Sequence, residues 1–179
     1  MIERLLEGAE DVIARAQHCW LMTLSRSGRV NARPMGRIIP TPAQTDWTLC
    51  FLADSRSNKV RDIESSTDVR LIFECDEYAF VTVAGPAAVI ADTETIERRW
   101  RPSYDSIFPT AADKVNAVFI DVRTEEMRLW IRGLTPEPFG LRSLTLCRPL
   151  DGNWCVQSNS AATLAAEASS DDRTSPEGL

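Results

Sequence analysis

The sequence predicts a mainly β protein, an antiparallel barrel with flanking helices. Short apolar runs separated by turn residues recur along the chain and indicate six or more strands. Few segments follow the helical period of 3.6 residues. The apolar residues of the strand Trp20–Leu24 occupy both of its faces. Such a strand is covered on both sides, by the barrel core within and by a helix or a partner subunit without.

The N-terminal half combines one amphipathic helix with three strands. From Ile2 to Ala16, apolar side chains recur every three or four residues, which predicts a helix packed on the core. Gly28 lies in a turn between two strands, so these strands are expected to form a hairpin. The elements that follow the first helix are strands at 20–24 and 30–39, a loop at 40–46, a strand at 47–53 and a short helix at 57–65.

The second half continues with antiparallel strands. Gly85-Pro86 predicts a kink or bulge inside a long strand, because Pro and Gly both weaken a regular ladder. The predicted elements are strands at 69–75 and 78–90 with a turn at Asp76-Glu77, a helix at 93–100, an irregular segment at 102–113, a strand pair at 115–124 and 127–132 around Glu125-Glu126, a linker at 133–140, and a final hairpin at 144–148 and 153–157 around Asp151-Gly152. Three parts are therefore expected: a barrel domain at 1–132, an extension with a β-hairpin at 133–160, and a disordered tail of small polar residues at 161–179.

Composition excludes several classes of function. The net charge of −6 argues against nucleic-acid binding, which needs a basic surface. No apolar run approaches the roughly 20 residues of a membrane span, and the N-terminus lacks the apolar core of a signal peptide, so a cytoplasmic protein is expected. The five cysteines form no CxxC pair, and Cys19, Cys50 and Cys75 read as small buried hydrophobes. With one histidine, His18, no histidine-rich metal site is expected.

Two segments depart from local rules. At the end of the third strand, Ser55-Arg56-Ser57-Asn58-Lys59 places cations in the first turn of a helix, where acidic residues are favoured. Backbone N–H groups, hydroxyls and a cation at one helix start suit an anion such as phosphate; the alternative is a Ser N-cap with solvated basic side chains. In the second strand, Arg33-Pro34-Met35-Gly36 indicates a bulge or a ligand contact, or else an edge strand protected by Pro.

Together the two segments resemble the pyridoxamine 5′-phosphate oxidase-like superfamily, and most closely its general stress protein branch of FMN-binding split barrels. Arg-Pro-Met in the second strand precedes Ala-Asp-Ser-Arg-Ser-Asn-Lys after the third. Further similar segments follow in order: 69–74, 78–89 with its Gly, the helix at 92–100, and 118–122 with Trp130. The resemblance covers about residues 5 to 132 and implies a six-stranded antiparallel split β-barrel.

The resemblance also implies a homodimer with FMN at the subunit interface. Arg33, Pro34 and Met35 would line the flavin ring, and Ala53, Asp54 and Ser55 would run beside the ribityl chain. Ser57 and Lys59 would hold the phosphate, assisted by Arg56 or Asn58. Trp130 and Arg132 would approach the ring from the partner subunit. Arg37 is interpreted as a solvated cation at the barrel rim. No segment resembles the Arg-containing substrate motif of true pyridoxamine-phosphate oxidases, so vitamin B6 oxidase activity is not expected.

Three functions remain open on these grounds. The first is an FMN-dependent oxidoreductase that moves a hydride or electrons between a nicotinamide or other donor and a small acceptor. No catalytic residue is assigned, because the flavin performs the chemistry. The second is a flavin-binding stress-response module without turnover. The third is the same barrel with another cofactor, either a deazaflavin or heme. Heme is disfavoured because the single histidine is expected to lie outside the strands, although ligation by Cys or Tyr stays open.

Overall fold

A computed structural model of the 179-residue chain describes residues 1–36, 47–76, 78–149 and 152–157. Arg37, the end of the predicted second strand, the loop at 40–46, Glu77, Asp151 and the predicted tail at 161–179 lie outside the described residues. The expectations stated for them stay predictions.

The described chain is mainly β, as predicted. Its helices are α1 (Ile2–Arg15), α2 (Asn58–Ser65), α3 (Thr93–Arg99) and α4 (Ala111–Lys114), with a short 3-10 helix at Pro102–Ser106. Its strands are β1 (His18–Leu24), β2 (Val30–Gly36), β3 (Thr48–Asp54), β4 (Asp68–Asp76), β5 (Ala79–Ile90), β6 (Ala117–Arg123), β7 (Glu126–Ile131), β8 (Leu144–Cys147) and β9 (Cys155–Gln157). No helix of the described residues has the length and apolar character needed to cross a bilayer.

All strand pairs are antiparallel, and they form two sheets that share β5. The large sheet has the order β2-β1-β4-β5-β7-β8-β9, and the small sheet consists of β3, β6 and the second half of β5. Among the described residues no pairing joins β2 to β3, so the barrel is open. The hairpin β8–β9, predicted at residues 144–157, is confirmed and extends the large sheet beyond β7.

The bend of β5 at Gly85 explains how one strand serves both sheets. Residues 79–84 pair with β7 and residues 87–90 with β6. A Cβ built on Gly85 would lie 1.9 Å from the carbonyl oxygen of Arg123, so only glycine fits here. The predicted kink at this position is confirmed.

The predicted pairing of the two strands around Glu125-Glu126 is wrong. Both β6 and β7 pair with β5, one after the other and in the same direction. Together they form one bent segment that runs antiparallel to β5. Instead of reversing, the chain crosses the bend of β5, where the N–H of Glu125 donates to the carbonyl of Ala84 at 2.9 Å. Gly85 lets the backbone of Arg123 and Glu125 pass close to β5. Glu125-Glu126 therefore does not form the turn that its composition indicated.

The core fills the inner side of the sheets and is closed at one end by α1, which buries Leu5, Ala9 and Val12. Cys19 and Cys50 are buried, and burial raises the pKa of each thiol to about 12. They behave as the small hydrophobes predicted, whereas Cys75 is half-buried. His18 is the first residue of β1, so the expectation that it lies outside the strands is wrong. Its side chain is exposed.

Candidate functional site

The candidate site is built where β3 ends and α2 begins. The N–H of Ser55 donates to the carbonyl of Asn116, and the N–H of Ser57 donates to the carbonyl of Asp54. These bonds fix a tight turn whose last residue, Ser57, is the N-cap of α2 in extended conformation. An N-cap serine normally accepts a hydrogen bond from an N–H of the first turn. Ser57 makes no such bond.

The hydroxyl of Ser57 is the most informative atom of this site. Its Oγ is buried and has no hydrogen-bond partner among the described residues. A buried polar atom without a partner costs about 1–3 kcal/mol, so native proteins keep few of them. The alternative raised by the sequence, a serine whose side chain only caps its helix, therefore does not describe Ser57.

Lys59 is the second residue of α2, in its first turn, and is half-buried. Burial lowers the pKa of its ammonium group, and the positive charge of Arg33 nearby lowers it further. Within the described part of the chain, this ammonium forms neither a hydrogen bond nor a salt bridge. The positive charges of Arg33 and Lys59 lie close enough to affect the pKa of Lys59, and such a concentration of positive charge favours an anion.

Arg33 is held in place by a network centred on the buried carboxylate of Asp62. Its guanidinium donates to Oγ1 of Thr23 at 2.8 Å and to Oδ2 of Asp62 at 3.2 Å. The same Oδ2 accepts from Thr23 at 2.7 Å and from the amide of Asn31 at 2.9 Å. Burial raises the pKa of Asp62, but these three donors outweigh it and hold the pKa below its ordinary value. Asp62 therefore stays ionised and orients Arg33 beside Lys59.

Asp54 and Arg56 form a closed pair at the edge of the site. The carboxylate of Asp54 accepts from the backbone N–H, Nε and Nη2 of Arg56, at 2.8, 3.0 and 2.6 Å. These bonds lower the pKa of Asp54 to about 2. Arg56 is otherwise exposed, so its guanidinium shapes the turn through Asp54. Asn58, also exposed, accepts from Arg61.

The other predicted residues lie on different faces of the sheets. Arg33 and Met35 share the inner face, since their register partners Leu21 and Cys19 are buried. Pro34, on the alternate position of β2, is exposed. Ala53 is buried opposite Val118.

Trp130 does not lie at the candidate site of its own chain. It pairs with Phe80 and lies on the outer sheet face, defined here as the side of the large sheet that carries Trp20, Ile72, Phe80 and Trp130. Arg33 lies on the opposite, inner side. Arg132, two residues on, stacks over the ring of Tyr78 at 3.4 Å from the centroid.

The sequence reasoning missed the group that anchors Arg33, namely Thr23, Asn31 and Asp62. One signal was available: Asp62 stands next to the buried Ile63 on a short helix, three residues after Lys59. A carboxylate on the apolar side of a helix requires partners, since a buried charge is retained only when paired. No group of three or more His, Cys, Asp or Glu side chains suited to a metal ion occurs in the described residues.

A known protein family and several solved structures share this architecture. The family model "Pyridoxamine 5'-phosphate oxidase like" matches residues 6–135. No curated protein matches the chain. Among solved structures, the chain is similar to a pyridoxamine 5'-phosphate oxidase-related, FMN binding protein from Nostoc punctiforme, with 15% identity, a TM-score of 0.59, and coverage of 87% of this chain and 92% of that one.

Two further solved structures show the same fold. A protein related to general stress protein 26 from Clostridium acetobutylicum has 14% identity, a TM-score of 0.66, and covers 81% of this chain and 95% of its own. A protein named F420 Reductase has 19% identity, a TM-score of 0.50, and covers 66% and 94%. The match of the family model over most of the chain identifies it as a member of the pyridoxamine 5′-phosphate oxidase-like family, with its split-barrel fold.

Proposed function

We propose that this protein binds FMN with its phosphate at the start of α2 and acts as an FMN-dependent oxidoreductase. The observation that carries the proposal is the buried Oγ of Ser57, which lacks a partner among the described residues beside a half-buried Lys59. A phosphate dianion supplies the acceptors that both groups need. An FMN-binding structural neighbour supports the choice of ligand.

Each residue then has a defined task. The Ser57 hydroxyl, the Lys59 ammonium and N–H groups of the first turn of α2 would bind the phosphate. Arg33, oriented by Asp62, would add positive charge toward the flavin, with Pro34 and Met35 along the ring. Ala53, Asp54 and Ser55 would follow the ribityl chain, with Asn58 at the edge. When bound, FMN supplies hydride and electron transfer, so the protein's part is to bind, orient and exclude water.

The outer sheet face supports a homodimer as the working form. Trp20 keeps 53% of its surface exposed there and pairs with the half-buried Ile72, while the half-buried Phe80 and Trp130 continue the same face on β5 and β7. Large apolar side chains grouped on one face mark an interaction surface. Because Trp130 lies on the side opposite Arg33, we propose that it contacts the flavin held by the partner subunit.

Two alternatives have their own support. A deazaflavin in place of FMN would use the same phosphate donors, and a structural neighbour is named F420 Reductase. The second alternative is a flavin-binding module without turnover. General stress protein relatives share the fold.

Titration of the purified full chain with FMN, riboflavin and inorganic phosphate tests the proposal. Quenching of flavin fluorescence should show FMN bound at least tenfold more tightly than riboflavin, and phosphate should compete with FMN. Equal affinities for FMN and riboflavin would contradict a phosphate site. Anaerobic addition of NADPH or NADH to the FMN complex, read as bleaching of the flavin absorption, then separates the oxidoreductase from the passive module.

A further inference from the structure

The C-terminal hairpin places two cysteines directly opposite each other. Cys147 of β8 and Cys155 of β9 are register partners in an antiparallel pair. Such residues point to the same side, with Cα atoms about 4.5 or 5.5 Å apart. Both spacings fall within the range of about 4.4–6.8 Å that a disulfide spans. The Sγ of Cys155 lies 3.4 Å from the carbonyl oxygen of Cys147, so this side chain already extends toward the opposite strand, β8.

The two thiols differ in how an oxidant reaches them. Cys155 is exposed, whereas Cys147 is half-buried. Burial, with Glu126 and Cys155 nearby, raises the pKa of Cys147. The exposed thiol therefore meets a soluble oxidant first, and its neighbour is placed to react second.

We propose that Cys147 and Cys155 form a reversible disulfide when the protein meets a peroxide. The thiolate of Cys155 attacks one peroxide oxygen, the O–O bond breaks, and the departing hydroxide takes up a proton to leave as water. Cys155 is then a sulfenic acid. The thiolate of Cys147 attacks that sulfur, an S–S bond forms, and hydroxide leaves and is protonated to a second water. Two thiols and one hydrogen peroxide thus give one disulfide and two waters.

The bond would fasten an element that is otherwise weakly attached. β9 has three residues, all exposed, and within the described chain it pairs only with β8. Trp154, just before β9, packs edge to face on Trp47 with ring centroids 5.8 Å apart. Trp47 leads into β3, which ends at the candidate phosphate site. The disulfide would therefore hold Trp154 against the start of the strand that carries this site, and it does not depend on the proposed flavin.

The test is oxidation of the reduced full-length chain with one equivalent of hydrogen peroxide, followed by alkylation of free thiols and peptide mass spectrometry. We expect a Cys147–Cys155 cross-link with a loss of two hydrogens, reversed by dithiothreitol, while Cys19 and Cys50 remain alkylatable only after unfolding. Hydrogen exchange of the β9 amides should slow on oxidation.

Variants make the result specific. Cys75→Ser should form the bond as the native chain does, whereas Cys147→Ser should yield only a sulfenic or higher acid at Cys155. Failure of the native chain to join these two cysteines would overturn the proposal. Preferential bonding of Cys155 to Cys75, or to a second chain, would overturn it equally, and neither result requires a variant to fold.

Discussion

The guanidinium of Arg33 and the carboxylate of Asp62 form an ion pair, 3.2 Å from Nη2 to Oδ2, that joins β2 to α2. The side chains keep only 21% and 11% of their surface exposed. The carboxylate of Asp62 also accepts hydrogen bonds from Thr23 and Asn31. Its removal therefore leaves three donors, Arg33 included, without this acceptor.

The first prediction concerns this carboxylate. Asp62→Ala should lower the free energy of unfolding by about 3 kcal/mol, the low end for breaking a buried pair, because Arg33 retains some contact with water. Urea denaturation followed by tryptophan fluorescence measures the change. Thr23→Val, which removes one hydroxyl from the same network, should cost about 1 kcal/mol. A cost for Asp62→Ala below that of Thr23→Val would contradict the central role of the carboxylate.

The same network predicts a pH dependence. The pKa of Asp62 in the folded state lies below its ordinary value of 3.8. Its contribution to stability is therefore complete above about pH 4 and is lost as the pH falls from there through the folded-state pKa. Asp62→Asn should lack this component, so the stability difference between native and variant protein should shrink on acidification. A difference that stays constant down to pH 2.5 would count against the ionised network.

A third prediction concerns Lys59. Lys59→Ala should weaken FMN binding by about 1.5–3 kcal/mol, or roughly 10- to 150-fold, because a charge-assisted hydrogen bond to phosphate is lost. Riboflavin binding should be nearly unchanged. The chain has one other lysine, Lys114, which already has a counter-charge in Asp105. Lys114→Ala is the matched control, and an equal loss of FMN affinity in both variants would mean that only net charge matters.

The fourth prediction concerns the bend of β5. Gly85→Ala should destabilise the fold by about 1–3 kcal/mol or more, because the added methyl meets the backbone of Arg123 and Glu125. Gly36→Ala is the matched control, since a Cβ there meets no described residue within 4 Å. It should change the free energy of unfolding by less than about 0.5 kcal/mol. Thermal unfolding of both variants in parallel gives the comparison.

The fifth prediction concerns the proposed dimer. Trp20→Glu should convert a dimer into a monomer in sedimentation velocity, because a charge would be buried in the interface. Val115→Glu is the control: Val115 is 84% exposed but lies after α4, away from the outer sheet face. Loss of the dimer in both variants, or in neither, would argue against this face as the interface.

Local chemistry in the sequence was sufficient to predict much of the fold and one part of the site. The strands, the kink at Gly85-Pro86 and the final hairpin follow from apolar periodicity and turn residues. Ser57 and Lys59 were identified because cations at a helix start are unusual. These features depend on neighbours in the chain, which a sequence displays directly.

The remaining features depend on residues far apart in the chain. Thr23 and Asp62 are separated by 39 positions, and nothing local shows that they share a hydrogen bond. Glu125-Glu126 has the composition of a turn, yet the chain does not reverse there but follows the bend of β5, since Gly85 makes room for Arg123 from 38 positions away. Such contacts arise only when the sheets pack together.

The shared strand β5 has a mechanical consequence for the candidate site. Arg33 lies on β2 of the large sheet, whereas Ser57 and Lys59 come soon after the end of β3, a strand of the small sheet. The two cationic parts of the candidate site therefore follow strands of different sheets, and these sheets are joined through β5, which bends at Gly85. The Asp62 carboxylate of α2 accepts hydrogen bonds from Thr23 on β1 and Arg33 on β2, so one buried side chain ties the two sheets together at the candidate site.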